Sequence, residues 1–563
     1  MCIRDSYWTG IISTSWTTAN NWSDNTLPIS TDYVVIPATN NQPIIGSSIS
    51  CSNLEILSGA TLSISGSNAL TISAELINKG TITFVSGTLN IQGAFSNTGT
   101  FTAGTSTVNY SGGAQNAAVV TYNNLTLSGS GIKTFDNTPT VNGILSLEGT
   151  ASVIVTTGVI TYGAAATLQY NKGSNNYTAT TEEWISPFVA TGGIIIKGTG
   201  AITTPGVVQI GDNSNAPLTI ESGATLTPGA NLITLHGNFI NAGTLTSGAG
   251  GITIGGTLAS QSIAGFTTSG KVRMTKTSGT ATFTSNVTGV DFESVGAGTL
   301  SLGTNLIHTF TNWIKTDGTL DGGSSTFNLS GSVTGTGVSF LESSSTFNYS
   351  GSAQNIWGTT YNNLTLSGSG VKTLINSPIV NGILSLEGTA TIAKQSIGDS
   401  VTYGSAATLQ YNKGTNPYTV TSTEWITPFK ATGGIIIKGS GAGVITLNRS
   451  VQIGDNTNVP LTINSSATLT PGANLITLHG NFINAGTLTS GNGGITLAGT
   501  TATQNIAGFT TTGTVSMTKT SGTANFTGNV TGGTLTINGS GGTLNLGSGL
   551  IHTCLLYTSD AAD

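Results

Sequence analysis

The chain has 563 residues and a formal net charge of −6, and only 7% of its residues are charged, against about 25% in an average soluble protein. Its 16 Lys and Arg are scattered, which excludes the phosphate-neutralising cluster of a nucleic-acid binder, and no apolar run approaches the roughly 20 residues of a membrane span. Hydrophobic residues still make up 37% and mean hydropathy is +0.16, too apolar for a disordered polymer, so a core is expected wherever apolar residues are regularly placed.

Residues 1–6, with Cys2, resemble translated adaptor sequence and are set apart from the fold. Residues 7–60 carry Trp8, Trp16 and Trp22 and lead into the first strands. An open solenoid end exposes strand edges, and these three rings are expected to cover it. Further along, large residues alternate with short polar ones: Leu62 with Ile64, Ile82 with Phe84, Leu89 with Ile91, Leu125 with Leu127. A period of two bounded by Gly, Asn or Ser predicts half-buried strands, and no stretch keeps helical spacing for a dozen residues. Gly-Thr-x-Thr segments at 99–102, 243–246 and 486–489 mark a unit of roughly 20 to 25 residues, the size of one solenoid coil.

Residues 122–131 recur at 361–370 and residues 232–239 at 475–482, so the chain holds two near-duplicate copies of about 240 residues. A longer segment at 390–399 in the second copy is absorbed as a loop, because the strands on both sides resume unchanged. The expected fold is all-β, a right-handed parallel β-helix or β-solenoid. It comprises a cap at 7–60, one copy at 61–315 and a second at 316–553. The second copy departs from the first after Thr553, and 554–563, with Cys554, again resembles adaptor sequence. The competing arrangement is a string of β-sandwich domains, but the repeat is far from about 100 residues and the seven Trp are unevenly spread. Only Cys51 lies inside the fold, so disulfides do not hold it.

Acid–base chemistry needs paired titratable groups, and the 22 acidic residues show no clustering. The four His form two repeated pairs, His236 with His479 and His308 with His552, without Asp, Glu or Cys at metal-ligand spacing. Loops at 211–215 and 454–458 offer one carboxylate each, Asp212 and Asp455, which suits an Asx turn better than calcium. No catalytic residue, cofactor or metal is expected, and the chain is not expected to be an enzyme. The best binding candidates are Tyr170, Tyr177 and Trp184, repeated as Tyr411, Tyr418 and Trp425, whose faces are suited to stacking on sugar rings. The plainer expectation is that they cap the core under a long loop. Thr81 with Thr83 and Thr280 with Thr282 raise ice binding as a weaker alternative, but such pairs are not expected to hold one position from coil to coil.

The order Trp8, Gly10, Trp16, Asn21-Trp22, Leu27-Pro28, Asp32 to Pro37 and Asn53-Leu54, together with the twin strands Leu168-Gln169-Tyr170 and Leu409-Gln410-Tyr411, resembles solenoid regions of large secreted bacterial surface proteins. These are adhesin-like cargo of the type IX secretion route in gliding and marine bacteria. The resemblance implies export to the cell surface and a noncatalytic stalk or adhesive role, with polysaccharide, extracellular matrix or a neighbouring cell as partner. A carbohydrate-binding or carbohydrate-active lyase or hydrolase β-helix is the alternative.

Overall fold

The computed structural model describes residues 5–439 and 443–559, with side chains described through residue 554 at the C-terminal end. Residues 1–4 and 560–563 of the adaptor-like termini, Cys2 among them, lie outside the described residues. The fold is an all-β parallel solenoid, as the period-two pattern predicts, and not a string of sandwiches. Among the described residues one 3-10 turn, Ala19–Asn21, interrupts the strands. The chain divides into two compact units, Met1–Val290 with Val295–Thr299, and Asp291–Ser294 with Leu300–Asp563.

In the first unit, the strands Asn53–Ile56, Thr61–Ile64 and Ala69–Ile72 make three sides of a coil. The next coil lays Leu76–Asn78, Thr81–Phe84 and Thr88–Ile91 beside them in parallel. One inward ladder runs Leu70, Leu89, Val108, Leu125, Leu145, Leu168, Ile194 and Leu218, each the in-register partner of the one before. All eight are buried, and a parallel ladder spaced at about 4.8 Å brings each side chain against the next. Val, Ile, Leu and Thr form these strands because branched side chains fit a pleated, half-buried surface. The corners need left-handed backbone: Gly129, at φ +70°, would place a Cβ 2.3 Å from the Ser111 carbonyl oxygen of the coil below. The second unit repeats this architecture, with Phe327, Phe347, Leu364, Leu384, Leu409, Ile435 and Leu461 as its inward ladder.

Trp8, Trp16 and Trp22 are buried against one another, with Trp16 and Trp22 ring centroids 4.7 Å apart. The Trp8 indole N–H donates to Asn41 O and that of Trp22 to Trp16 O. Asp5 and Ser6, set apart above, pair with Tyr33 and Val34. Thr553–Ser559 pairs with Val530–Ile537.

Twice in each unit two sides of the coil change sheet while the third continues. In the first unit the sheets ending at Phe95–Asn97 and Thr100–Thr102 give way to new ones opened by Gln115–Ala117 and Thr121–Tyr122. Meanwhile Thr107–Tyr110 passes in register to Asn124–Leu127. At the first of these steps side chains add donors to main-chain carbonyls, some of which, such as Ile91 O and Gly112 O, also keep a main-chain donor. Gln115 donates to Ile91 O and Gly93 O, while the fully buried Lys133 ammonium donates to Gly112 O, Gly113 O, Ser130 O and Gln115 Oε1. In the second unit Gln354 and Lys372 make the same connections to Leu329 O, Gly331 O, Gly351 O and Ser352 O. Burial pushes both ammonium groups down to about 8. The cations scattered in sequence are thus partly interior: Lys133, Lys172, Lys276, Lys315, Lys372, Lys413 and Lys519 are all buried.

Replacing Lys133 with Met removes the donor to Gly113 O and Ser130 O and is expected to lower stability by about 1–3 kcal/mol. Lys79→Met, which removes an exposed ion pair to Glu55, should cost only about 0–1 kcal/mol. Urea denaturation of the two variants checks the contrast.

Candidate functional site

The longest excursion from the coils leaves the strand Thr167–Asn171 and returns at Gly193–Lys197, and its twin runs between Thr408–Asn412 and Gly434–Lys438. The strand Tyr177–Thr178 first pairs with Ala201–Thr203. The chain then makes a tight turn in which the Trp184 N–H donates to Thr180 O, and Glu183 reaches back to accept from the Thr180 N–H at 2.9 Å and from its hydroxyl. This is the carboxyl-to-N–H half of a Thr-x-x-Glu capping box, here closing a single turn, with the threonine hydroxyl donating to the same carboxyl.

Glu183 is buried and also accepts from the hydroxyls of Tyr177 at 3.0 Å and Tyr170 at 3.4 Å. Tyr170 packs on Trp184, with ring centroids 5.7 Å apart, and Lys172 lies 4.4 Å from the Tyr177 ring centroid while donating to Ala151 O. Tyr162 donates to Glu183 O. The twin repeats every element: Glu424 accepts from Thr421, Tyr418 and Tyr411, Tyr411 packs on Trp425, and Lys413 lies over Tyr418. Desolvation raises both carboxyls above their usual range and pushes Lys172 and Lys413 down to about 8.

The six aromatic residues singled out in the sequence are therefore brought together, three in each unit, but they face inward. Tyr170, Trp184, Tyr411, Tyr418 and Trp425 are buried and Tyr177 is half-buried, so they offer no open platform for a sugar ring. The capping role fits their placement. Sequence reasoning missed the partner at the centre, Glu183 and Glu424, and it found no clustering of titratable groups where the structure has one in each unit. The pattern Thr180-x-x-Glu183, repeated as Thr421-x-x-Glu424, was the available signal.

Above this turn in the first unit lies an open groove of about 350 Å³, walled by Trp184, Ile185, Val159, Pro205 and Val207. The Trp184 indole nitrogen is buried without a hydrogen-bond partner, as is that of Trp425.

Two of the histidines serve the framework. His308 is buried with Nε2 2.8 Å from Leu302 O, and His479 Nδ1 accepts from the Asn456 N–H. Among the described residues no three His, Cys, Asp or Glu side chains are grouped to hold a metal ion. In the 454–458 loop Asn456 takes a left-handed turn conformation, and Asp455 pairs with Lys430 at 2.6 Å.

Threonine pairs keep one position only locally, and the pair Thr280 with Thr282 lies beside Ser260 and Ser262. Thr61, Thr81 and Thr100 form one outward column, with Ser63, Thr83 and Thr102 beside it. That array ends after three coils, where the sheet itself stops at Thr100–Thr102. Another column runs Thr178, Thr203 and Thr227, with Thr225 beside Thr227 and in register with Thr244, while Ala201 interrupts the neighbouring column.

A family model described as a domain of unknown function, DUF8693, matches residues 7–112, the stretch that holds the tryptophan cluster and the first coils. No curated protein and no solved structure matches the chain.

The buried carboxyls make a pH prediction. A carboxyl whose pKa is raised in the fold holds its proton more tightly folded than unfolded. Stability should therefore fall as pH rises from the ordinary value of 4.5 towards the raised one. The double variant E183Q/E424Q cannot ionise there and should show a flatter profile. Urea midpoints measured at steps between about pH 4 and pH 7 give the comparison, and equal slopes would count against the burial of these carboxyls.

Proposed function

We propose that this chain is a noncatalytic structural segment of a secreted cell-surface protein. Its stacked coils present short polar side chains to polysaccharide, matrix or a neighbouring cell. The observation that carries this reading is the fate of the converging titratable groups. Glu183, Tyr170 and Lys172 are buried and engaged with one another or with backbone, and the same holds for Glu424, Tyr411 and Lys413. Acid–base catalysis needs such a set within reach of substrate, whereas here it fastens an excursion to the coil.

The outward surface supports the adhesive part. One outward column reads Ser50, Thr71, Asn90, Asn109, Thr126, Ser146 and Gln169. Several members bond along it, as Asn109 does to Asn90 at 3.2 Å and Gln169 to Ser146 at 3.0 Å. Hydroxyls and amides wet this surface in place of charge and suit hydrogen bonding to a polyhydroxylated polymer or a glycosylated surface. The resemblance in the N-terminal segment supports export.

The test incubates the purified chain with a panel of polysaccharides, matrix proteins and bacterial cells. Pull-down measures retention, and reducing-end and unsaturated-product assays measure cleavage. Retention without product is expected. Release of sugar from any polymer would overturn the noncatalytic reading, and retention on no surface at all would overturn the adhesive one.

A further inference from the structure

The two copies agree closely in the buried turn around Glu183 and Glu424, yet they differ at the surface directly above it. The groove over Trp184 in the first unit is bordered by Pro205, Gly206 and Val207. The second copy carries Asn448, Arg449 and Ser450 at those three positions. There Arg449 is half-buried, and its guanidinium donates to the main-chain oxygen of Trp425. In the first unit the equivalent position is Gly206, whose missing Cβ would meet nothing within 4 Å, and Trp184 O accepts from no group among the described residues. The second unit fills its own groove with a guanidinium, and the first leaves the same seat open.

Two further differences point the same way. The rim residues Val159 and Val207 are 36% and 64% exposed in the first unit, where the second has Ser400 and Ser450. Apolar rims around a concave acceptor are what a docked side chain covers, while a groove already filled has no use for them. Charge also differs. The turn carries Glu182 in the first unit and Thr423 in the second, while Lys430 in the second unit stands where the first has Val189. The first unit's excursion thus carries one more acid and one fewer base than the second's, at positions outside the groove lining itself.

We propose that the groove over Trp184 receives an arginine side chain presented by an extended segment of a partner protein. The guanidinium would donate to Trp184 O, as Arg449 does to Trp425 O, with its flat face against the apolar walls formed by Ile185, Val159 and Val207. Guanidinium suits this seat better than ammonium because it is planar, weakly hydrated and packs well against apolar and aromatic surfaces. The site goes beyond the structural role proposed above and stands or falls separately from it.

The full chain labelled with 5-fluorotryptophan gives a separate ¹⁹F resonance for each of its seven Trp. Titration with acetyl-Gly-Arg-Gly-amide is expected to shift the Trp184 resonance saturably and leave Trp425 unmoved. The citrulline peptide, which keeps the shape and lacks the charge, is expected to give no shift. Replacing residues 205–207 by the second copy's own sequence (P205N/G206R/V207S) should abolish the response. Removing the internal guanidinium with R449G should make Trp425 respond as well. The unshifted resonances of the other tryptophans report that each variant is folded. No shift of Trp184 with the arginine peptide, an equal shift with the citrulline peptide, or a response that survives the triple substitution would overturn the proposal.

Discussion

Everything in this molecule depends on successive coils meeting in register. The side-chain period of a strand is two, so a slip of one residue between coils would turn each inward aliphatic outward and bring a Thr or Asn into the core. The ladder from Leu70 through Leu125 to Leu218 shows the consequence of holding register, since every member is buried against its equivalents above and below. No single coil can enclose such a core. The apolar residues of each coil find cover only in the next, which is why the chain tolerates so little charge and so much repetition.

Register also explains where the interior polar groups are found. Where the coil changes course, some main-chain carbonyls such as Gly113 O and Gly237 O have no main-chain donor, and a buried acceptor without a donor is costly. The molecule meets this with a small set of long donors from the following coil. Gln115 and Lys133 do so at the first change of sheet in the first unit. Gln261 and Gln504 each span two carbonyls of the coil below, to Leu235 and Gly237 and to Leu478 and Gly480. Lys172 does the same under the excursion, to Ala151 O, while Glu183 there accepts from the tyrosine hydroxyls and the turn N–H. The scarcity of charge in the composition conceals how much of that charge is structural.

Much of this was legible in the sequence, for a physical reason. Alternation at Leu62 and Ile64 or Leu125 and Leu127 is a direct image of one buried and one exposed face, and the duplication fixes the repeated architecture without any geometry. The interior lysines were partly legible too: Lys133 shares its parity with Phe135, and Lys372 with Leu374, so each falls on the inward face of its strand. What sequence could not supply was alignment between coils. Corner loops differ in length, so neither the stacking of Thr61, Thr81 and Thr100 nor the inward turn of Trp184 follows from spacing alone. The aromatic residues at 170–184 and 411–425 were correctly grouped, but whether they faced sugar or core turned on Glu183 and Glu424, whose inward direction spacing does not reveal.

Register between two coils is therefore the quantity to measure. In a chain whose own cysteines have been replaced, Asn109→Cys with Thr126→Cys places thiols on in-register partners, about 4.8 Å apart along the stack and within disulfide reach. Asn109→Cys with Asn124→Cys keeps the same face and shifts by two residues, to about 8 Å between Cα atoms, beyond that reach. Under mild oxidation the first pair should close and the second should not. Closure of the offset pair, or of neither, would contradict the stacking on which the fold and its sites depend.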